Sequence, residues 1–422
     1  MRNSCWPVLL IAFSAVFSGC HPSEANRTIV NKQSGTTSPQ VATRPVGNSP
    51  SAIRHPIAID MHADTAQRMV DEGVDINKRL SDGHIDALRM KEGGLDAEFF
   101  SVWVEPSLYG VGGPVAVNRA EKQIDAILNL VKNHPETWAL ALTAEDIRRN
   151  SSSGRLSVLM GLEGGYAIDE KLENVERYYN LGVRYMSPTW SVSTSWAGSS
   201  GDASGQTRGL NDFGQIVIRE MNRVGMMVDV SHVSDKTFWG IIRTSSEPII
   251  ASHSNCRAIA NVPRNLSDDM LQAVAKSGGV VCVVFYTEFV EPGWSDQKKK
   301  VDTQIAGLIQ QADRNETGGP ALRKIARDRV RAAEYSKRLP AVPLSRLVDH
   351  IDHIVKVVGV DHVGIGSDYD GVPTTVEGLS DISQLPNLTA ELARRGYSAS
   401  DIEKILGGNM LRVMEQTQIG NK

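Results

Sequence analysis

The sequence predicts a (β/α)8 TIM barrel with a long βα-loop insertion after its seventh strand. Eight short apolar runs alternate with amphipathic helical stretches, and most of these runs end on a residue able to bind a metal, activate water or line a pocket. Strict alternation implies parallel pairing, because every parallel connection needs a crossover. Reactive side chains gathered at C-terminal strand tips are how a barrel active site is built.

The runs follow in order. Pro56–Met61 leads into His62-Ala-Asp64, and Ala97–Val104 comes second. Ser157–Leu162 ends in Glu163, within Gly161-Leu-Glu-Gly-Gly165, and Val183–Ser187 is fourth. Met226–Ser231 ends in His232, Pro248–Ser252 in His253, and His362–Ser367 in Asp368. The seventh run, Gly279–Tyr286, is apolar at consecutive positions over Val280–Phe285, as in strands covered on both faces. Helical patterns fall between most of these runs, over Val117–Asn133, Leu172–Leu181, Asp212–Val224, Asp235–Thr244 and Ser267–Lys276. From Thr287 to about Pro343 the connection is far longer and carries Lys298–Lys300 and a charged helical stretch, Leu322–Lys337. Long βα loops sit over the pocket in barrels, so this insertion is expected to form a lid or rim, with outer packing or an oligomer contact equally open. Ser398–Val413 should be the helix that completes the outer ring.

The first residues describe export. Arg2, the apolar stretch Trp6–Phe17 and Phe17-Ser-Gly-Cys20 read as a lipoprotein signal peptide over 1–20, too short to span a bilayer, with Cys20 acylated. Residues 21–54 are rich in Ser, Thr, Asn and Pro and should form a flexible tether to a catalytic domain over 55–422. The expected location is a lipid anchor on a bacterial membrane. In a Gram-negative cell it would be the periplasmic side of the outer membrane, since His21 is not the aspartate of inner-membrane retention. A net charge of −4 with no basic block gives no case for nucleic acid and favours a small-molecule or peptide partner. Beyond the leader only Cys256 and Cys282 remain, which are expected as buried free thiols. Monomer and homodimer both stay open.

His62 and Asp64 share a strand face and can grip one ion. A second His-x-Asp, His84-Ile-Asp86, precedes a helical stretch and reads as a loop or supporting element. Glu163 ends a buried strand and needs a partner there, which a metal ion supplies, and its two oxygens could bridge two ions. Asp229-Val-Ser-His232 and Ile250-Ala-Ser-His253 repeat one arrangement. Together the five residues suffice for two divalent ions with Glu163 shared, zinc being favoured by imidazole plus carboxylate. Asp368, in Gly366-Ser-Asp-Tyr-Asp-Gly371, could pass a proton to a leaving amine, and periodicity alone does not separate it from Asp370.

These motifs, with Arg264-Asn265 and Asn409-Met-Leu-Arg-Val413, resemble the renal-type membrane dipeptidase family over most of the chain from Ile59 to Val413. The resemblance implies a binuclear zinc enzyme, two Zn2+ per chain, that cleaves dipeptides through metal-activated water. His62, Asp64 and Glu163 would hold one ion, and Glu163, His232 and His253 the other. Asp368 would be the proton-transferring aspartate, and Arg264 would face the substrate carboxylate or the developing oxyanion, with Asn265 beside it. One departure stands out: where the family usually carries a histidine that binds the scissile carbonyl, this chain has Trp190 in Ser187-Pro-Thr-Trp190. Trp190 can donate one hydrogen bond but carries no charge. Two other readings therefore accompany the dipeptidase: hydrolysis of a related amide, such as an N-acyl amino acid or a lactam, in a pocket reshaped by Trp190, and a catalytically weak metal-binding lipoprotein.

Overall fold

The computed structural model describes residues 56–417; the leader, the acylated cysteine and the tether expected at the N-terminus lie outside the described residues. Among the described residues nine strands form: β1 Ile59–Ala63, β2 Ala97–Trp103, β3 Trp138–Leu140, β4 Leu156–Glu163, β5 Val183–Ser187, β6 Met227–Asp229, β7 Ile249–Ala251, β8 Val280–Val283 and β9 Val363–Ile365. Every pairing between them is parallel. The order β2-β1-β9-β8-β7-β6-β5-β4-β3 closes through β2–β4 pairing, so the eight predicted strands form the barrel. The ninth, β3, has no counterpart among the eight apolar runs. It pairs with Leu156–Val158 of β4, while β5 takes Met160–Glu163 further along that strand. Three residues are too few to leave a periodic signal.

Inside the barrel, residues of β1, β2 and β4 to β8 meet in one apolar cluster that includes Met61, Phe99, Leu159, Tyr185 and Ile250. Met410 and Met414 of the last helix join it from below. A larger cluster lies between the sheet and the surrounding helices. Each large apolar side chain buried this way contributes roughly 1.5–3 kcal/mol, which makes the strand tips a stiff platform.

The helices at Asp212–Val224 and Asp235–Thr244 keep their predicted bounds because their ends are marked. Asn211 and Ser234 cap the N-termini, and Gly225 takes the left-handed turn after the first, with φ 83°. The C-terminal helix is not continuous as predicted. A π-helical segment, Lys404–Gly408, interrupts it where Gly407 backs onto β1, and a Cβ there would lie 2.4 Å from the Ile57 carbonyl oxygen.

The insertion is a pair of helices, Trp294–Asn315 and Pro320–Arg338, after a short turn at Thr287–Val290. Trp294 anchors it, edge-on to Tyr286 at 5.9 Å and to Tyr335 at 6.0 Å. Arg329 reaches back to Glu72 and, at 3.2 Å, to Asp82. The insertion thus forms part of the cavity rim, and its residues line the cavity. Cys256 and Cys282 are buried free thiols, and among the described residues no helix is long and apolar enough to cross a membrane.

Candidate metal centre

The C-terminal tips of the strands bring five predicted residues to one place. His62, next to last in β1, sets its Nε2 3.4 Å from Glu163 Oε2 and 3.9 Å from Asp64 Oδ2. His232 Nε2 lies 2.9 Å, and His253 Nε2 3.6 Å, from the other oxygen, Glu163 Oε1. The two histidines approach each other to 3.0 Å through their Nε2 atoms, and the His62 and His253 rings stack at 3.8 Å. One oxygen of Glu163 therefore faces His62 and the other faces the histidine pair. Tetrahedral ligand atoms at zinc bond lengths of about 2.0–2.2 Å stand about 3.3–3.6 Å apart, a spacing these separations straddle.

The surroundings aim the imidazoles. Tyr185 donates its hydroxyl to the Met61 carbonyl at 3.0 Å and so accepts from His62 Nδ1 at 2.8 Å. Ser252 donates to Asp229 Oδ2 at 2.6 Å and accepts from His253 Nδ1 at 2.7 Å. In both rings these partners hold a proton on Nδ1 and turn Nε2 inward, the nitrogen that metal-binding histidines use once it is free of its own proton. Room for Tyr185 comes from Gly161, where a Cβ would fall 1.9 Å from the phenol ring. Ser101 donates to Glu163 Oε2 at 3.2 Å.

Two of these positions are strained. His232 and Asp368 have φ of 69° and 64°, a region that costs non-glycine residues of order 1–3 kcal/mol. Each is pinned: the His232 carbonyl accepts from the Ser200 backbone N–H at 2.8 Å, and the Asp368 N–H donates to the His62 carbonyl at 3.0 Å. Gly371 brings the final loop against both carboxylates, since a Cβ there would meet Asp64 Oδ2 at 2.1 Å and Asp368 Oδ1 at 2.6 Å.

Electrostatically the cluster gathers more acids than bases. Burial works to strip the proton from His62, but Glu163, Asp64 and Asp368 outweigh it and raise its pKa to about 10. Burial, helped by Arg264, pulls His232 down to about 4 and drives His253 well below its usual value. Burial also pushes Asp368 well above the usual carboxylate range. A single imidazolium thus answers several buried acids, and His62 Nε2 is buried without a hydrogen bond. Positive charge placed among these atoms satisfies both deficits, so the residues fit a metal centre.

The structure separates the two aspartates that periodicity left together. Asp370 is occupied: it accepts from Thr65 Oγ1 at 2.6 Å and the His84 N–H at 2.9 Å, with Arg68 3.6 Å away. Burial alone would raise its pKa, yet His84, Arg68 and Thr65 hold it at about 2. Asp368 instead faces His62 and Asp64. His84 is accordingly a supporting residue, its ring stacked on Tyr369 at 5.1 Å.

A cavity of about 980 Å3 opens above the cluster. Arg264 enters it from the segment after β7, donating Nη1 to Ser254 Oγ at 2.7 Å while its buried Nε and Nη2 have no partner. Among the described residues no carboxylate comes within 4 Å of it, and burial lowers its pKa to about 10. Trp190 lines the wall edge-on to Trp103 at 4.8 Å, with its ring 6.3 Å from that of His232. The expectation that Asn265 touches substrate is corrected. Its amide accepts from the Asn255 N–H at 3.2 Å and donates to the Phe289 and Ala260 carbonyls at 2.8 and 2.9 Å, so it braces the loop behind the cavity. Sequence reasoning missed Tyr185 and Ser101, whose only signal was a polar group within an apolar strand.

Comparison with known proteins gives a concordant result. Residues 51–422 match the family model for membrane dipeptidase, peptidase family M19. Dipeptidase aclJ of Aspergillus oryzae is 31% identical over 338 residues, covering 79% of this chain and 69% of that protein. Dipeptidase verJ of Clonostachys rogersoniana is 32% identical over 342 residues, covering 79% and 76%. Among solved structures, the probable dipeptidase PvdM from Pseudomonas aeruginosa aligns with a TM-score of 0.73 and 28% identity, over 86% of this chain and 96% of that one. A metallo peptidase from Rhodobacter sphaeroides, liganded with a phosphinate mimic of the dipeptide L-Ala-D-Ala, aligns at 0.69 and 25% identity over 86% and 100%. The chain belongs to the membrane dipeptidase family, peptidase family M19, and is a metal-dependent dipeptidase.

Proposed function

We propose that the chain hydrolyses dipeptides with two zinc ions, His62 and Asp64 holding one, His232 and His253 the other, and Glu163 shared through its two oxygens. The observation that carries this reading is the division of Glu163, with Oε2 toward His62 and Oε1 toward His232 and His253. Zinc, when bound, supplies Lewis acidity for the carbonyl and lowers the pKa of water toward about 7. The protein's residues do the rest. Asp368, grouped with His62 and Asp64 at the cluster, accepts a proton at its carboxylate from the attacking water and passes it to the leaving amine. Arg264 offers its free Nε and Nη2 to the substrate carboxylate. Asp370 and His84 hold the loop that carries Asp368.

Trp190 favours a second reading, hydrolysis of a related amide such as an N-acyl amino acid or a lactam. An indole contributes bulk and no charge where the scissile carbonyl must be polarised, and losing one oxyanion donor costs roughly 2.7–4 kcal/mol. We also propose export and lipid anchoring through Cys20, on the strength of Phe17-Ser-Gly-Cys20.

Purified protein tests the centre. Two equivalents of zinc per chain are expected, with dipeptide turnover abolished by a chelator and restored by zinc. One equivalent at full activity would remove the sharing of Glu163.

A further inference from the structure

The charged groups of the cavity wall are mostly paired. Asp71 holds Arg119 at 2.7 Å, Glu288 holds Lys298 at 2.6 Å, and Asp328 holds Lys324 at 2.6 Å. Outside the cluster around Glu163, two wall residues among those described are more than nine-tenths buried and have no opposite charge within 4 Å: Arg264, 8% exposed, and Glu105, 7% exposed. Glu105 spends one oxygen on Ser107, accepting from its N–H at 3.1 Å and its hydroxyl at 2.8 Å. Its Oε2 makes no hydrogen bond among the described residues. That oxygen is not sealed from water and so opens to the cavity, where a cation can reach it.

Its position says which cation. Around the ring of eight strands, β2 stands opposite β7, so Glu105, just past β2, faces across the mouth toward the segment that carries Arg264. If Arg264 takes the C-terminal carboxylate, Glu105 lies on the side of the N-terminal residue. Trp103 is in register with Glu163, and Glu105 is two residues further, about 6.5 Å up the wall at strand spacing. The substrate α-amine sits two bonds, about 2.5 Å, from the scissile carbonyl carbon and stays near the level of Glu163. An amine at the height of Glu105 is the end of a side chain. Trp103, one step earlier on the same face of the strand, meets Trp190 edge-on at 4.8 Å, so indole surface borders the path of a methylene stem, while the Lys324 ammonium stands 5.3 Å from the centre of the Trp103 ring and stays paired with Asp328.

We propose that Glu105 is a specificity residue that selects dipeptides whose N-terminal residue bears a side-chain amine, such as lysine or ornithine. The proposal rests on the dipeptidase reading above. It is tested by kcat/KM for Lys-Ala against norleucine-Ala, which has the same stem without the amine. Wild-type enzyme should prefer Lys-Ala by about 10-fold or more, the scale of a hydrogen bond to a charged group. In Glu105→Gln, which retains an acceptor for Ser107, the ratio should fall to about one with norleucine-Ala unchanged and the thermal midpoint preserved. Equal turnover of both dipeptides by wild-type enzyme overturns the proposal. So does an equal loss on both in the variant, which would assign Glu105 to the α-amine or to the cap alone, and so does a preference seen only with Ala-Lys. Absence of zinc-dependent turnover of either dipeptide strikes the dipeptidase reading and this proposal together, whereas a ratio near one with good turnover strikes Glu105 alone.

Discussion

On the floor of the cavity, imidazoles and carboxylates crowd within hydrogen-bonding range, short of positive charge and held in part by left-handed backbone at His232 and Asp368. Around the rim, Arg329 meets Glu72 and Asp82, and Lys298 meets Glu288, in ordinary ion pairs. The floor gathers more buried acids than its own imidazoles answer, while the rim is largely neutralised by its own partners. Charge imbalance collects where chemistry is done, and paired charges collect where loops are merely held.

The sharpest way to break this contrast is to set Asp368 against Asp370, two residues apart in one loop. Asp368→Asn should cut kcat by about 10²–10⁴, the range for a lost general acid or base, with zinc content unchanged. Asp370→Asn, which keeps an oxygen for the His84 N–H and turns its NH2 toward the Thr65 hydroxyl, should retain most turnover. Equal losses in steady-state assays would mean that the floor does not end where the geometry puts it. Next in size is Trp190→His, which should raise dipeptide kcat/KM by up to about 10²-fold if a charged donor is what the wall lacks. A fall on dipeptides would instead favour a related amide as the substrate.

Smaller effects probe the supports. Because His84, Arg68 and Thr65 depress Asp370 to about 2, its contribution to stability is present above the unfolded value near 3.9 and is lost as pH falls from about 4 through about 2. Denaturant midpoints measured between pH 2 and 5 should show that loss in the wild type and lack it in Asp370→Asn. The smallest change is expected from Arg329→Ala, an exposed pair worth roughly 0–1 kcal/mol, which should raise KM slightly and leave kcat alone in steady-state assays.

Much of the floor was legible in the sequence because each ligand candidate ends an apolar run, and a run's end is a local property. His62, Glu163, His232 and His253 could be found that way. The difference between Asp368 and Asp370 could not, because it depends on Thr65 and His84, far away in the chain. β3 was too short to register. Glu105 gave no signal in the sequence: it caps the short helix that starts at Pro106, and its missing counter-charge is visible only once the wall is assembled. Asn265 looked like a partner of Arg264 because the two are adjacent, yet the loop turns its amide inward.

The phenol of Tyr185 occupies space that a methyl group on residue 161 would claim, and that phenol sets the tautomer of His62. Zinc affinity is therefore partly encoded by a glycine that touches no ligand atom. An alanine there would be felt first as weakened metal retention, with all five proposed donors still in the sequence.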